Sequence, residues 1–332
     1  MCINLSRLAR LLGSLALLAG ILPARAQTNA VELDAVVISA QQPVSLLVNG
    51  FPIYDSDPVP SGSVTFELNA YLKQSSNTLK LVFPRVDLSV PGTNTLVRLR
   101  IEHQPDPTTN ETDLLFVERV LGRGTTPDLA PPLFESILVT NPISSRRQIE
   151  SFVLSNQVTR AFWDADAGTI QHGFVSATTP TNDEFSLSTS MPEALLTSLP
   201  WEGSTPVLSG SDRSLITALV TNLFNAIRTN DDATIYTLLQ SKVQRFAQAR
   251  GTTDQVVSNA LVSGFNLLRT STPPFAFDPL DPQTIQFVTY QSSALVETKV
   301  NGGPPIHAVS STNEFSKRVF LSRIGGQWRI ID

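Results

Sequence analysis

The chain has 332 residues, 41% hydrophobic and 16% charged, a balance that supports full-size hydrophobic cores and excludes an acidic or basic disordered chain. Its 24 basic and 29 acidic residues give a formal charge of −5, with no basic run longer than a pair such as Arg146 and Arg147. The clustered cations that a phosphate backbone demands are therefore missing, and nucleic acid is excluded as an expected partner.

In chain order, the first feature is a secretory pattern over 1–26. Arg7 and Arg10 open it, an apolar run of 12 residues from Leu11 to Leu22 follows, and Ala24, Arg25 and Ala26 form a small-x-small cleavage site before Gln27. The run falls short of the roughly 20 residues a bilayer-spanning helix needs, so it predicts export without a membrane span, to the periplasm or outside the cell. Ile21 stands where a lipoprotein signal requires cysteine, so no lipid anchor is expected. Removal of this segment takes three arginines and no acid, leaving 21 basic against 29 acidic residues and a charge of −8. It also takes the single cysteine, Cys2, which leaves no disulfide, thiol nucleophile or thiolate metal site.

From 31 to 123 short β-rich runs alternate with Gly, Pro, Asn and Asp, predicting strands at 35–39, 44–48, 64–68, 78–83, 96–101 and 114–121. Asn49 and Gly50 form the strongest hairpin signal. Further strands are expected at 136–140, 151–154, 158–163, 169–176 and 184–188, with one short helix at 192–199. Together they predict an all-β sandwich over 27–200, similar in architecture to galactose-binding-like or immunoglobulin-like domains. Residues 201–213, rich in Gly, Ser and Pro, are the expected linker, and Ser209 is read as part of it.

After Ser211 the period becomes helical. Leu215, Leu219, Val220, Leu223 and Ile227 form one stripe, with Ser211 or Asp212 as the expected cap. Asn230, Asp231 and Asp232 break that helix and begin a second carrying Ile235, Leu238 and Leu239. Gly251 ends a helical stretch, and another helix spans 253–269. A Pro-rich crossing at 273–282 leads to strands at 284–290, 294–300, 315–324 and from Trp328 onward, with turns at 301–303 and 325–326. Helices followed by a strand meander is an α+β pattern. The amphipathic helix, Asn-Asp-Asp break and second helix of 223–239, with the closing Gly325, Gly326, Gln327, Trp328, Arg329 and Ile330, resemble the SnoaL-like and ketosteroid-isomerase-like superfamily. That resemblance implies a curved sheet wrapped around helices as a cone over 214–332, so the chain is expected to be multi-domain.

No catalytic set emerges. The three histidines, His103, His172 and His307, are isolated from one another, no Gly-x-Ser-x-Gly elbow is present, and no metal site or cofactor site is expected. Asp164, Asp166 and Gly168 begin like a calcium loop, but Val175 stands where the bidentate glutamate belongs, and they read as a turn. Enzymes of the resembled superfamily place an acid or base and a hydrogen-bond donor inside the cone. Tyr236, Tyr290 and His307 are the candidate ligand-binding residues there, while Asp231 and Asp232 suit a helix start electrostatically. Lys299, Lys317, Arg318 and Arg323 are expected to point outward, leaving an apolar lumen. The expected function is that of an exported, non-catalytic binding or interaction protein whose partner is a small apolar molecule or a protein surface. The alternative is an isomerase or dehydratase using a carboxylate in the cone.

Overall fold

The structure, a computed structural model, describes residues 32–40, 44–56, 64–84, 94–104, 112–123, 133–140, 149–154, 162–164, 169–171, 173–174, 182–190, 194–290, 293–311 and 313–332. The signal pattern, Asp166 and Gly168 lie outside the described residues. Those described form a mixed α+β protein and divide into two compact units between Thr197 and Ser198.

In the N-terminal unit the strands are β1 (Glu32–Ala40), β2 (Val44–Val48), β3 (Phe51–Ser56), β4 (Val64–Glu67), β5 (Ser76–Pro84), β6 (Asn94–Gln104), β7 (Thr112–Arg123), β8 (Leu133–Thr140), β9 (Ile149–Leu154), β10 (Phe162–Asp164), β11 (Thr169–Gln171), β12 (Gly173–Phe174) and β13 (Asn182–Ser190). They build an antiparallel sheet ordered β12-β8-β7-β6-β1-β4, a second ordered β3-β2-β5-β13-β9, and the pair β10-β11. Tyr54 of the five-stranded sheet meets Phe66 of the six-stranded one with ring centroids 5.0 Å apart. Asn49 and Gly50 turn β2 into β3 with φ of 51° and 76°, the left-handed pair a tight hairpin requires. The strand on its far side, β3, carries Pro52 and Asp55, which is why its sequence does not read as β.

Behind this turn lies a wholly buried amide, Asn77. Its Nδ2 donates to the carbonyls of Lys73 and Ser75, while its Oδ1 accepts from the Lys73 amide and from Asn49 Nδ2. Asn49 also donates to the Tyr71 carbonyl and accepts the Thr78 amide. Every polar atom of the Asn77 amide is thus matched, as burial demands. The helix expected at 192–199 is not found among the described residues of that stretch: Leu196 instead forms a parallel bridge with Lys73 and its carbonyl accepts the Gln74 amide. Backbone pairing with a distant segment has outweighed local propensity.

In the C-terminal unit, α1 (Gly210–Thr229), α2 (Asp232–Arg250) and α3 (Asp254–Thr270) are followed by β14 (Ala276–Phe277), β15 (Ile285–Thr289), β16 (Val296–Val300), β17 (Ile306–Val309), β18 (Glu314–Lys317), β19 (Val319–Ile324) and β20 (Gln327–Ile330). The strands form two antiparallel sheets, β14-β17-β18 and β15-β16-β19-β20. The tract expected as one strand over 315–324 breaks at Arg318 and contributes to both sheets. Ser209, expected in the linker, is the α1 cap: its Oγ accepts the Asp212 amide and Asp212 Oδ2 accepts the Ser209 amide, a reciprocal capping box. The 201–213 stretch as a whole carries a fully buried Trp201 and the first turn of α1. On α1 the inward stripe is Ile216, Val220, Leu223, Phe224 and Ile227, while Leu215 is 57% exposed; the expected stripe was one residue out of phase at its start. Asp231 caps α2, accepting the Thr234 amide and hydroxyl, which hold its carboxyl below the usual range.

Candidate functional site

Strand register fixes which side chains face the helices. In the four-stranded sheet Val296 pairs with Leu321 and Leu321 with Ile330, while Arg323 pairs with Trp328. Trp328 donates its indole N–H to Asp212 of α1 over 2.8 Å, and α1 and α2 pack on β20. Residues in phase with Trp328, namely Val296, Thr298, Val319, Leu321, Arg323 and Ile330, therefore line the helix side. In the three-stranded sheet Phe315 meets Phe265 of α3 and Phe277 meets Phe224 of α1, placing Ile306, Ala308, Phe315 and Lys317 on that side by register. The opposite phase, with Glu297, Lys299, His307, Glu314 and Phe320, looks away.

Two of the three expected ligand-binding residues use their polar atoms on the side facing away. The Tyr290 hydroxyl donates to Glu297 Oε2 over 2.5 Å, and Arg318 Nε donates to Glu297 Oε1 over 2.7 Å. Lys299 Nζ lies 3.7 Å from the same carboxylate, which is 2% exposed. His307 lies in β17, a strand not among those expected from the sequence. Its Nδ1 is 2.7 Å from Asp278 Oδ2 and its Nε2 3.1 Å from Glu314 Oε1. Burial alone would lower the His307 pKa, but hydrogen bonds to Asp278 and Glu314 and their charges outweigh it and raise it. Because the two carboxylates address opposite ring nitrogens, they do not converge on one point, and among the described residues no three His, Cys, Asp or Glu are arranged to hold a metal ion. Tyr236 is half-buried on α2, beside the buried Ile235. Among the described residues no hydrogen bond joins Tyr236, Tyr290 and His307 to one another.

Asp231 and Asp232 act structurally. Asp231 is the α2 cap, and Asp232 is bridged by Arg269 from the end of α3, whose Nε also donates to Asn230 Oδ1.

The ionisable groups on the helix side are different ones. Asp212 receives Trp328 and Ser209, with Arg323 closing on it as well, and these hydrogen bonds hold its carboxyl far below the ordinary range. At a second point Lys242 of α2 donates to Asp332, Arg245 Nη2 lies 3.8 Å from Asp332 Oδ2, and Lys317 Nζ lies 4.0 Å from Asp332 Oδ1. The Arg245 guanidinium also stacks on Trp201 at 4.9 Å and Phe246 at 5.3 Å. Burial and the charge of Lys242 press the Lys317 pKa down to about 7, partly offset by Asp332. The neighbouring cations Lys242, Lys317 and Arg245 more than offset the burial that would raise Asp332, and hold it well below the carboxylate range.

The expectation that Lys317 points outward is therefore corrected: it shares the phase of Val319 and is buried with it. Arg323 shares that phase and reaches Asp212, yet stays 49% exposed as expected, and Arg318 and Lys299 face away. Glu297, Lys242 and Asp332 were not singled out from sequence, because ion pairs between residues 21 or 90 apart leave no local spacing signal.

No family model matches the chain, and no curated protein or solved structure does either. Among the described residues no helix is long and apolar enough to cross a membrane.

Proposed function

We propose that this is an exported, non-catalytic binding protein, built as an N-terminal two-sheet sandwich followed by a SnoaL-like cone that holds a small apolar ligand between its helices and strands. Export is supported by the pattern of Arg7, Arg10, the apolar run and Ala24 to Ala26. One observation carries the choice of binding over catalysis: the hydroxyl and imidazole best suited to acid–base work, Tyr290 and His307, are committed to Glu297, Asp278 and Glu314 on the side away from the helices. The helix side is walled mainly by Val296, Val319, Leu321, Ile306, Ala308 and Phe315, all buried, and its carboxylates Asp212 and Asp332 are already held by Arg323, Trp328 and Lys242. Such a lining suits shape-based capture of an apolar molecule better than proton transfer, which requires an acid or base within reach of the reacting atom.

The test is titration of the full chain with Nile red, a neutral apolar fluorophore, alongside incubation with a β,γ-unsaturated ketone. Saturable enhancement with no isomerised ketone supports the binding reading. Conjugated product with a bell-shaped pH–rate profile would establish the isomerase alternative in its place.

A further inference from the structure

We propose that Lys242 and Lys317, on the helix side of the C-terminal unit, form the seat of an oxyanion, the carboxylate or phosphate group of a ligand. The proposal rests on the binding reading for the ligand's apolar end only; the charged end is argued from the cluster itself.

Lys317 is 8% exposed, and its ammonium carries three donors. Among the described residues its one anionic neighbour is Asp332, and the 4.0 Å between Lys317 Nζ and Asp332 Oδ1 is too long for a hydrogen bond. The Asp332 oxygen nearest Lys317 already receives Lys242. Two ammonium groups thus address one carboxylate oxygen, with a guanidinium approaching the other oxygen of the same group. The groups facing Lys317 are Lys242 from α2 and Asp332 beyond β20, with Arg245 of α2 on the other Asp332 oxygen, while its strand partner on β17 is the apolar Ile306. A second anion beside Lys317 would accept from its ammonium and relieve the repulsion from Lys242, and charge-assisted hydrogen bonds are the stronger kind. Carboxylate and phosphate share that chemistry. The Phe246 ring covers one side of Lys242, its centroid 5.2 Å from Nζ, and the Lys242–Asp332 pair is shielded from the water that would screen such a contact at the surface.

Anion capture and protonation are coupled: a seated anion favours charged Lys317, so affinity should fall as the pH rises past the value near 7 to which Lys317 is lowered. The experiment is calorimetric titration of the full chain with inorganic phosphate, acetate and octanoate, at constant ionic strength in chloride, at pH 6 and pH 9. Saturable binding of at least one of the three is expected at pH 6, weakened about tenfold or more at pH 9. Lys317→Met should abolish it while leaving the Lys242–Asp332 pair intact, so loss of fold does not confuse the result; Lys242→Met should weaken it, and the exposed Arg329→Gln should not. No saturable binding at pH 6, or binding undiminished in Lys317→Met, overturns the proposal. Phosphate bound in preference to acetate identifies a phosphate seat, and acetate in preference to phosphate a carboxylate seat; either outcome supports the proposal. Octanoate bound about tenfold tighter than acetate places an apolar seat beside the oxyanion. Equal affinity for the two leaves the oxyanion seat standing and overturns the apolar reading.

Discussion

The two units solve the same problem, a polar group inside a core, by different chemistry. The N-terminal unit buries the neutral amide of Asn77 and satisfies it with Asn49 and backbone groups. The C-terminal unit buries charges: Glu297 with Arg318, Asp212 with Arg323, Asp332 with Lys242. An amide network has no proton to lose and is indifferent to pH, whereas the ion pairs make stability a function of pH and of water access. The lesson is that the described ion pairs of the C-terminal unit are sensitive to pH in a way the Asn77 network is not.

The largest expected effect is on the packing that both solutions presuppose. Trp328→Ala removes a 93%-buried ring and the indole donor to Asp212, and should cost about 4 kcal/mol in urea denaturation; a cost below about 1 kcal/mol would mean the last hairpin is not part of the C-terminal core. Next comes Asn77→Ala, expected to cost about 3 kcal/mol because it strands the buried groups that now bond the amide. That loss should be equal at pH 5 and pH 8, and a difference between them would show that the amide network is not indifferent to pH. Glu297→Gln should cost less, about 2 kcal/mol, since Arg318 keeps access to water and is not left as a buried unpaired charge. A reversed ranking of these two would show that the charged solution is the more demanding one.

The remaining effects are in the pH profile. His307 has a raised pKa, so its contribution is complete below about 6.5, the unfolded value, and fades as pH climbs through the raised folded value. Lys317 is lowered to about 7 from 10.5, so the cost of burying its charge is full below pH 7 and is relieved as pH rises toward 10.5. The two slopes oppose each other. Thermal melting of His307→Gln should lack the fall above pH 6.5, and that of Lys317→Met should lack the alkaline rise. Profiles identical to the parent's in both variants would remove these groups from the pH response.

Much of this architecture is legible in sequence where the signal is local. The Asn49–Gly50 and Gly325–Gly326 turns need left-handed φ, which few other residues adopt, and the helical stripes repeat within a dozen residues. Ser209 was within reach too, since Ser followed three residues later by Asp212 has the form of a capping box; the Gly and Pro around it obscured the signal. What stays hidden depends on partners far along the chain. Leu196 lies beside Lys73 and Gln74, a neighbour that local propensity does not register. Lys317 illustrates a different failure: its side of the strand was readable from Val319, but a lysine is ordinarily read as outward. Of the candidate site, Tyr290 and His307 were singled out without the carboxylates that engage them, because those pairings depend on register between strands.

The hydrogen bonds on Asp212 have a kinetic meaning as well. They join the first turn of α1 to Arg323 and Trp328 across 111 and 116 residues, loops whose closure is entropically costly and which form late in folding. The start of α1 can become helical early through Ser209 alone, but its carboxylate gains the indole donor only when the final hairpin docks. Trp328→Phe, which deletes that donor and keeps the ring, should therefore accelerate unfolding and leave the refolding rate nearly unchanged, making Asp212 a latch that governs how long the folded unit persists rather than how quickly it is reached.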